Sequence, residues 1–333
     1  MLSRVASNLY WMSRFVERAE NTARVLDVTW RMSLLVKEAK LQDQEWMAPL
    51  NITGTLFPFS GRHDRVNARQ VLHFMALDSE NPGSIYSCAR QARENARGVR
   101  GTITSEMWEV LNATWIEMQQ MDEGKMMARG VSNFFDWVKE RSHLFRGVTF
   151  GTMHRDEAYA FARLGTHMER ADSTARILDV KYHVLLPSVK DVGGAVDYYQ
   201  WSAVLRSVSA FEAYRKVYRD VITPLKLAEL LMLRDDIPRS LHFCLRQVCD
   251  TLAIVQNAHS AEATRRAGQI LAGLQYGRIS EIFANGLHEC LTDFLDSMHA
   301  LSQDIQRAFF SANVVDNGGF APLPAGTQSQ SQR

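Results

Sequence analysis

A chain of 333 residues is long enough for two domains of ordinary size or one large one. Hydrophobic residues make up 46% and charged residues 23%, as in a soluble globular protein, and 19 glycines and 8 prolines leave a composition suited to helices. A formal net charge of +1 excludes a whole-protein field that would draw nucleic acid or an anionic membrane.

The opening, MLSRVASNLYWMSRF, carries arginines and no unbroken apolar core, so it does not read as a secretory leader. No run approaches the ~18–20 apolar residues that span a bilayer, and a cytoplasmic protein with no membrane contact is expected. Val5, Leu9, Met12, Val16, Ala19, Ala23, Leu26 and Trp30 follow spacings of three and four, which predicts a first helix from Ser3 to Lys40. Residues 54–65 read as a loop, followed by a helix over Asn67–Ala76 that Asn81-Pro82-Gly83 ends.

A helix starting at Pro82 or Ser84 turns Ile85, Cys88, Ala92, Ala96 and Val99 inward, and others are predicted over Ser105–Met121, with Ser105 as N-cap, and Val131–Leu144. Further helices are predicted over Asp156–Leu186, Tyr198–Val221, Leu225–Leu233, Pro238–Val255, Glu262–Leu274 and Ile279–Phe310. No alternating β-branched run reads as a strand. The Gly/Pro/Ser/Gln-rich tail from Asp316 lacks core formers and is expected to be disordered.

One stretch occurs twice. ERAENTARVLDV, Glu17 to Val28, returns as ERADSTARILDV, Glu169 to Val180, with nine of twelve positions identical. LDSENPGSIYSCARQ, residues 77–91, is echoed by LRDDIPRSLHFCLRQ, residues 233–247, keeping Pro82/Pro238, Ser84/Ser240, Cys88/Cys244, Arg90/Arg246 and Gln91/Gln247. Two echoes in the same order read as a tandem duplication of a unit of about 150 residues. The expected architecture is an all-α helical bundle of two pseudo-repeats, 1–151 and 152–315, with 316–333 as the tail.

On a helical wheel at ~100° per residue, Asp27, Glu20, Arg24 and Glu17 fall beside the apolar stripe, with Asn21 further out. Asp179, Asp172, Arg176, Glu169 and Ser173 do the same in the second copy. Arg18 and Arg170 fall roughly 200° round, away from the stripe. Carboxylates leaning toward a core are costly unless paired, and Arg90 and Arg246 are candidates to supply charge across helices. Three readings stay open: a buried ion network locking the copies together, a polar cleft for a charged ligand or partner peptide, and acid–base catalysis by the cluster.

Other signals are weaker. Glu140-Arg141-Ser142-His143 has the Glu-x-x-His spacing of di-iron bundles, but the second half has no matching copy, so no metal or other cofactor is expected. Arg90, Arg93, Arg97 and Arg100 read as a solvated face around Glu94. Cys88, Cys244, Cys249 and Cys290 form no C-x-x-C pair and read as reduced packing thiols, a catalytic thiol being the alternative. No phosphate loop, nucleophile elbow or zinc spacing is present, and no catalytic residue can be named.

With Glu17-Arg18 and Glu169-Arg170 opening each copy, the chain resembles the bacterial alpha-E family, an α-helical domain with an "ER" motif, from LSRVASNLYWMSRFVERAENTARVLDV to the second ERADSTARILDV. The resemblance implies association with circularly permuted ATP-grasp proteins, transglutaminase-like proteins and N-terminal-nucleophile hydrolases in peptide synthesis or modification. It makes Glu17, Arg18, Glu169 and Arg170 candidate functional residues, and an accessory or co-catalytic component of an ATP-grasp-dependent ligation system the expected role. The Glu17→Ala, Glu169→Ala double variant is expected to fold and to lose its partner.

Overall fold

The computed structural model describes residues 1–34, 45–184 and 195–311, and every regular element among them is helical. The tail and the expected helix ends at Lys40 and Leu186 lie outside the described residues. In chain order the helices are α1 (Ser3–Ser33), α2 (Met47–Ile52), α3 (Leu56–Ser60), α4 (Ala68–Leu72), α5 (Ile85–Gly98), α6 (Ser105–Gln119), α7 (Glu123–Arg129) and α8 (Val131–Thr152). They continue as α9 (Glu157–Val184), α10 (Ala195–Ser207), α11 (Phe211–Tyr218), α12 (Pro224–Met232), α13 (Leu241–Ile254), α14 (Ala261–Tyr276), α15 (Ile279–Asn285) and α16 (Leu287–Ile305).

The architecture follows from two long helices. α1 has neither glycine nor proline in its 31 residues and packs against α5, α8 and α9; α9 packs against α1, α13 and α16. With α6 against α5 and α8, and α14 against α13 and α16, each long helix belongs to a group of four. The groups meet side by side along α1 and α9. Those helices run parallel: Tyr10 lies beside Gly165, Asn21 Nδ2 donates to Ser173 Oγ at 2.9 Å, and the terminal amine of Met1 reaches Glu157 at 3.1 Å.

Gly165 explains how close the pair comes. A glycine inside a helix costs roughly 0.5–1 kcal/mol relative to alanine, yet a Cβ here would lie 2.1 Å from the Tyr10 carbonyl oxygen. Only a bare Cα fits. The core divides accordingly: one apolar cluster joins the first half of α1 to α9 and the later helices, taking residues from both sides of position 151. The other lies within the first 138 residues, around Leu26, Trp46, Phe59, Leu72 and Phe134.

Several boundaries differ from expectation, each for a local reason. A helix, Leu56–Ser60, sits within the expected loop, burying Phe59. Thr104, not Ser105, caps α6, accepting from Met107 N at 3.3 Å. The predicted helix over Tyr198–Val221 is two helices, broken where Ser209 takes φ +53°. Gly286, at φ +97°, breaks the predicted Ile279–Phe310 helix, and Gly130 at φ +94° opens α8 in the same way. Ser84 and Ser240 cap α5 and α13, each accepting from the backbone N–H three residues on at 3.0 Å.

Candidate functional site

From Ala19 to Asp27 every residue of α1 is buried, polar ones included. A helix with neighbours on several sides has no single inward stripe, so the wheel's placement of Arg18 and Arg170 away from the core is corrected here. Both point across the α1–α9 seam and exchange partners. Arg18 donates from Nε and Nη2 to Glu169 at 2.5 and 2.9 Å. Arg170 donates from the same two nitrogens to Glu17 at 3.0 and 2.9 Å. Each glutamate of an Glu-Arg pair thus takes a two-pronged bond from the arginine of the other copy, the strong planar geometry for a carboxylate.

Further arginines converge on these carboxylates. Arg239, in the turn before α13, donates to Glu17 Oε1 and Asn21 Oδ1 at 2.8 Å and to Glu20 Oε1 at 2.7 Å. Arg146 of α8 donates to Glu17 at 3.1 Å and also to Glu20. Arg24 Nε and Ser142 Oγ donate to Glu20 at 2.8 and 2.6 Å. On the other side of the seam, Arg14 Nε donates to Glu169 at 2.7 Å.

Burial alone would raise these carboxyl pKa values, but the guanidiniums outweigh it. Arg170 and Arg239 hold Glu17 at about 2, Arg18 and Arg14 hold Glu169 at about 2, and Arg239, His143 and Arg146 hold Glu20 well below the carboxylate range. Carboxylates this acidic are poor general bases near neutral pH, and permanently charged arginines are poor general acids. The cluster therefore suits binding and locking better than proton transfer. Burial also pushes the Cys88 and Cys244 thiols up to about 12, leaving them protonated and unsuited to nucleophilic attack. The described residues contain no group of His, Cys, Asp and Glu side chains that would hold a metal.

Of the residues singled out by sequence, Glu17, Arg18, Glu20, Asn21, Arg24, Glu169 and Arg170 come together at the seam. Asp27 sits beyond it, paired with Arg31 and with Lys139 at 2.9 Å each. Asp172 and Arg176 pair within α9 at 2.8 Å and are partly exposed; Asp179 meets His288 at 2.6 Å. Arg246 pairs with Asp235 on the surface instead of bridging to the seam, and the half-buried Arg90 shares in none of the seam's hydrogen bonds. Both are corrected as charge suppliers: among the described residues neither makes a hydrogen bond or ion pair with a seam carboxylate, Arg246 being held by Asp235.

Arg14, Arg146 and Arg239 were not singled out. The repeat puts Thr166, Ser302 and Gly83 at the matching positions, so the comparison of copies passed over them. The spacing of four between Arg14 and Arg18 was the one available signal.

A family model for Alpha-E, described as a predicted alpha-helical domain with a conserved ER motif, matches residues 1–310. The chain belongs to the Alpha-E family. In this member the two Glu-Arg pairs of the sequence are the partners that cross-link α1 and α9. Similar proteins include uncharacterised proteins of Mycobacterium bovis and Mycobacterium tuberculosis, each 24% identical over 340 residues, covering 96% of this chain. The chain spans 38% of the length of those relatives. No solved structure matches it. No described helix is long and apolar enough to cross a membrane.

Proposed function

We propose that this Alpha-E chain is an accessory, binding component of an ATP-grasp-dependent peptide or amide-ligation system, receiving a partner ligase or its substrate at the α1–α9 seam. The supporting observation is that its mycobacterial relatives carry more than half their length outside the matched region. A unit joined to that much further protein in its relatives is built to work beside another one. The neighbour proposed, from what the alpha-E resemblance implies, is a circularly permuted ATP-grasp protein, a transglutaminase-like protein, or both.

The buried carboxylates are the frame of this site and not its contact surface. Glu17 and Glu169 are 1% and 4% exposed and fully engaged, so the double alanine variant is now expected to unfold. Arg18 and Arg146, whose side chains are 31% and 27% exposed, are the better probes. Tagged full chain is captured from its native host, alongside Arg18→Gln and Arg146→Gln variants whose folding is checked by thermal melting. Recovery of an ATP-grasp or transglutaminase-like protein by wild type, at least tenfold reduced by a folded variant, supports the reading. A partnerless wild-type chain overturns it.

A further inference from the structure

The seam holds more positive charge than it needs for its own pairing. On the Glu17 side, two carboxylates, Glu17 and Glu20, face four guanidiniums: Arg24, Arg146, Arg170 and Arg239. On the other side Glu169 faces Arg14 and Arg18. Burying like charges without counter-ions is unfavourable. Arg239 feels this directly: burial, with Arg170 and Arg24 nearby, lowers its pKa despite Glu17 and Glu20.

The Glu17-side surplus reaches solvent beside His143 and Arg146. Arg24 Nη1 donates to Ser209 Oγ at 2.6 Å, and Arg24 Nη2 lies 3.2 Å from His143 Nε2. His143 is 55% exposed, Ser209 is exposed, and Arg146 beside them is partly so. Ser209 holds φ +53°, a left-handed conformation that non-glycine residues adopt only under strain. That strained backbone sits between α10 and α11 and sets a hydroxyl on the most buried arginine of the rim. Arg146 turns Nη1 to Glu17, Glu20 and Ser142, and none of its hydrogen bonds uses Nη2.

We propose that Arg24, Arg146, His143 and Ser209 form a binding site for an oxyanion, a carboxylate or a phosphate, which neutralises the surplus charge at the outer end of the seam. This deepens the reading of the seam as a binding site: ligases of the ATP-grasp kind act on carboxylates through phosphate chemistry, and either group fits a guanidinium pair with a hydroxyl and an imidazole. The carboxylate would come from a peptide C-terminus or acidic side chain, the phosphate from a nucleotide or an activated acyl group.

The test uses the purified full chain with no partner present, so that it stands apart from the capture experiment. Inorganic phosphate, an acetylated dialanine with a free C-terminus and its C-terminal amide are titrated calorimetrically into wild type, Arg146→Gln, and His143→Ala with Ser209→Gly. The last variant alters exposed positions and replaces a strained serine by glycine, so it retains the fold even where Arg146→Gln does not. Expected are one saturable site for phosphate, for the free dipeptide, or for both, at least tenfold weaker in the variants. Phosphate alone points to the nucleotide or acyl-phosphate source; the free dipeptide without its amide points to a peptide carboxylate. No saturation by any probe, or equal binding to wild type and His143→Ala/Ser209→Gly, overturns the site. Anion binding with no partner captured leaves the site standing and removes the ligase.

Discussion

The two sides of the α1–α9 seam start from nearly the same twelve residues and end differently. Glu169 answers to Arg14 and Arg18, both partly exposed. Glu17 answers to Arg170, Arg239 and Arg146 and shares two of them with the fully buried Glu20. The difference comes from outside the shared stretch: Arg239 stands where the first copy has Gly83, and Arg146 where the second has Ser302. A common Glu-Arg exchange thus carries one carboxylate between two arginines on one side and an enlarged network of two carboxylates and four arginines on the other. The exchange belongs to the fold, and the enlargement is what the proposed oxyanion site rests on.

Substitution of the two glutamates breaks that comparison most sharply. Glu17→Gln leaves Arg170 and Arg239, both nearly fully buried, without their main counter-charge. Removing one partner of a buried pair costs about 3–5 kcal/mol. Glu169→Gln strands Arg14 and Arg18, whose partial exposure lets water replace much of the lost interaction, and about half that loss is expected. Urea unfolding followed by circular dichroism measures both. Equal losses for the two variants would mean that the extra arginines around Glu17 add nothing to its hold.

Acid separates the sides next. Glu17 and Glu169 fall from an ordinary 4.5 to about 2 in the folded chain. A carboxyl depressed by folding contributes stability that is whole above the unfolded value and lost as pH falls through the folded one. The window is therefore pH 4.5 down to 2, worth about 3 kcal/mol for each group. Glu20, also held well below the usual carboxylate range by Arg239, His143 and Arg146, adds to the Glu17 side. Stability measured across this window should depend on pH less in Glu169→Gln or Glu17→Gln than in wild type, and less again when Glu17→Gln is combined with Glu20→Gln. His167, kept neutral by burial and the arginines near it, starts a shallower loss below about 6.5. A flat profile from pH 5 to 2.5 would contradict the buried pairing.

How much of this was legible depended on whether a residue had a counterpart. Repetition picked out Glu17, Arg18, Glu20, Asn21, Arg24, Glu169 and Arg170, because the exchange across the seam needs both copies. It passed over Arg239, Arg146 and Arg14, whose counterparts are Gly83, Ser302 and Thr166. Helical periodicity gave the all-helical fold and most helix positions. It turned Arg18 and Arg170 outward because one stripe per helix was assumed, whereas α1 is wrapped by α5, α8 and α9. The break at Ser209 was invisible for a different reason: serine is no habitual helix breaker, and its left-handed backbone is set by its surroundings.

The smallest effect sharpens the comparison at the matched positions Glu20 and Asp172. Glu20 is fully buried and takes bonds from Arg24, Arg239, Arg146 and Ser142. Asp172 keeps one partner, Arg176, one turn along the same helix, with 28% and 40% of the two side chains exposed. An i,i+4 pair in water is worth about 0.2–0.5 kcal/mol, and salt screens it further. Asp172→Asn should therefore lower the unfolding free energy by no more than about 0.5 kcal/mol, and by less in 0.5 M salt. Glu20→Gln, which leaves buried guanidiniums unpaired, should cost several times more. A loss above about 1.5 kcal/mol at Asp172 would show that the second side of the seam is held by the same kind of network as the first, and the asymmetry that favours a ligand on the Glu17 side would vanish.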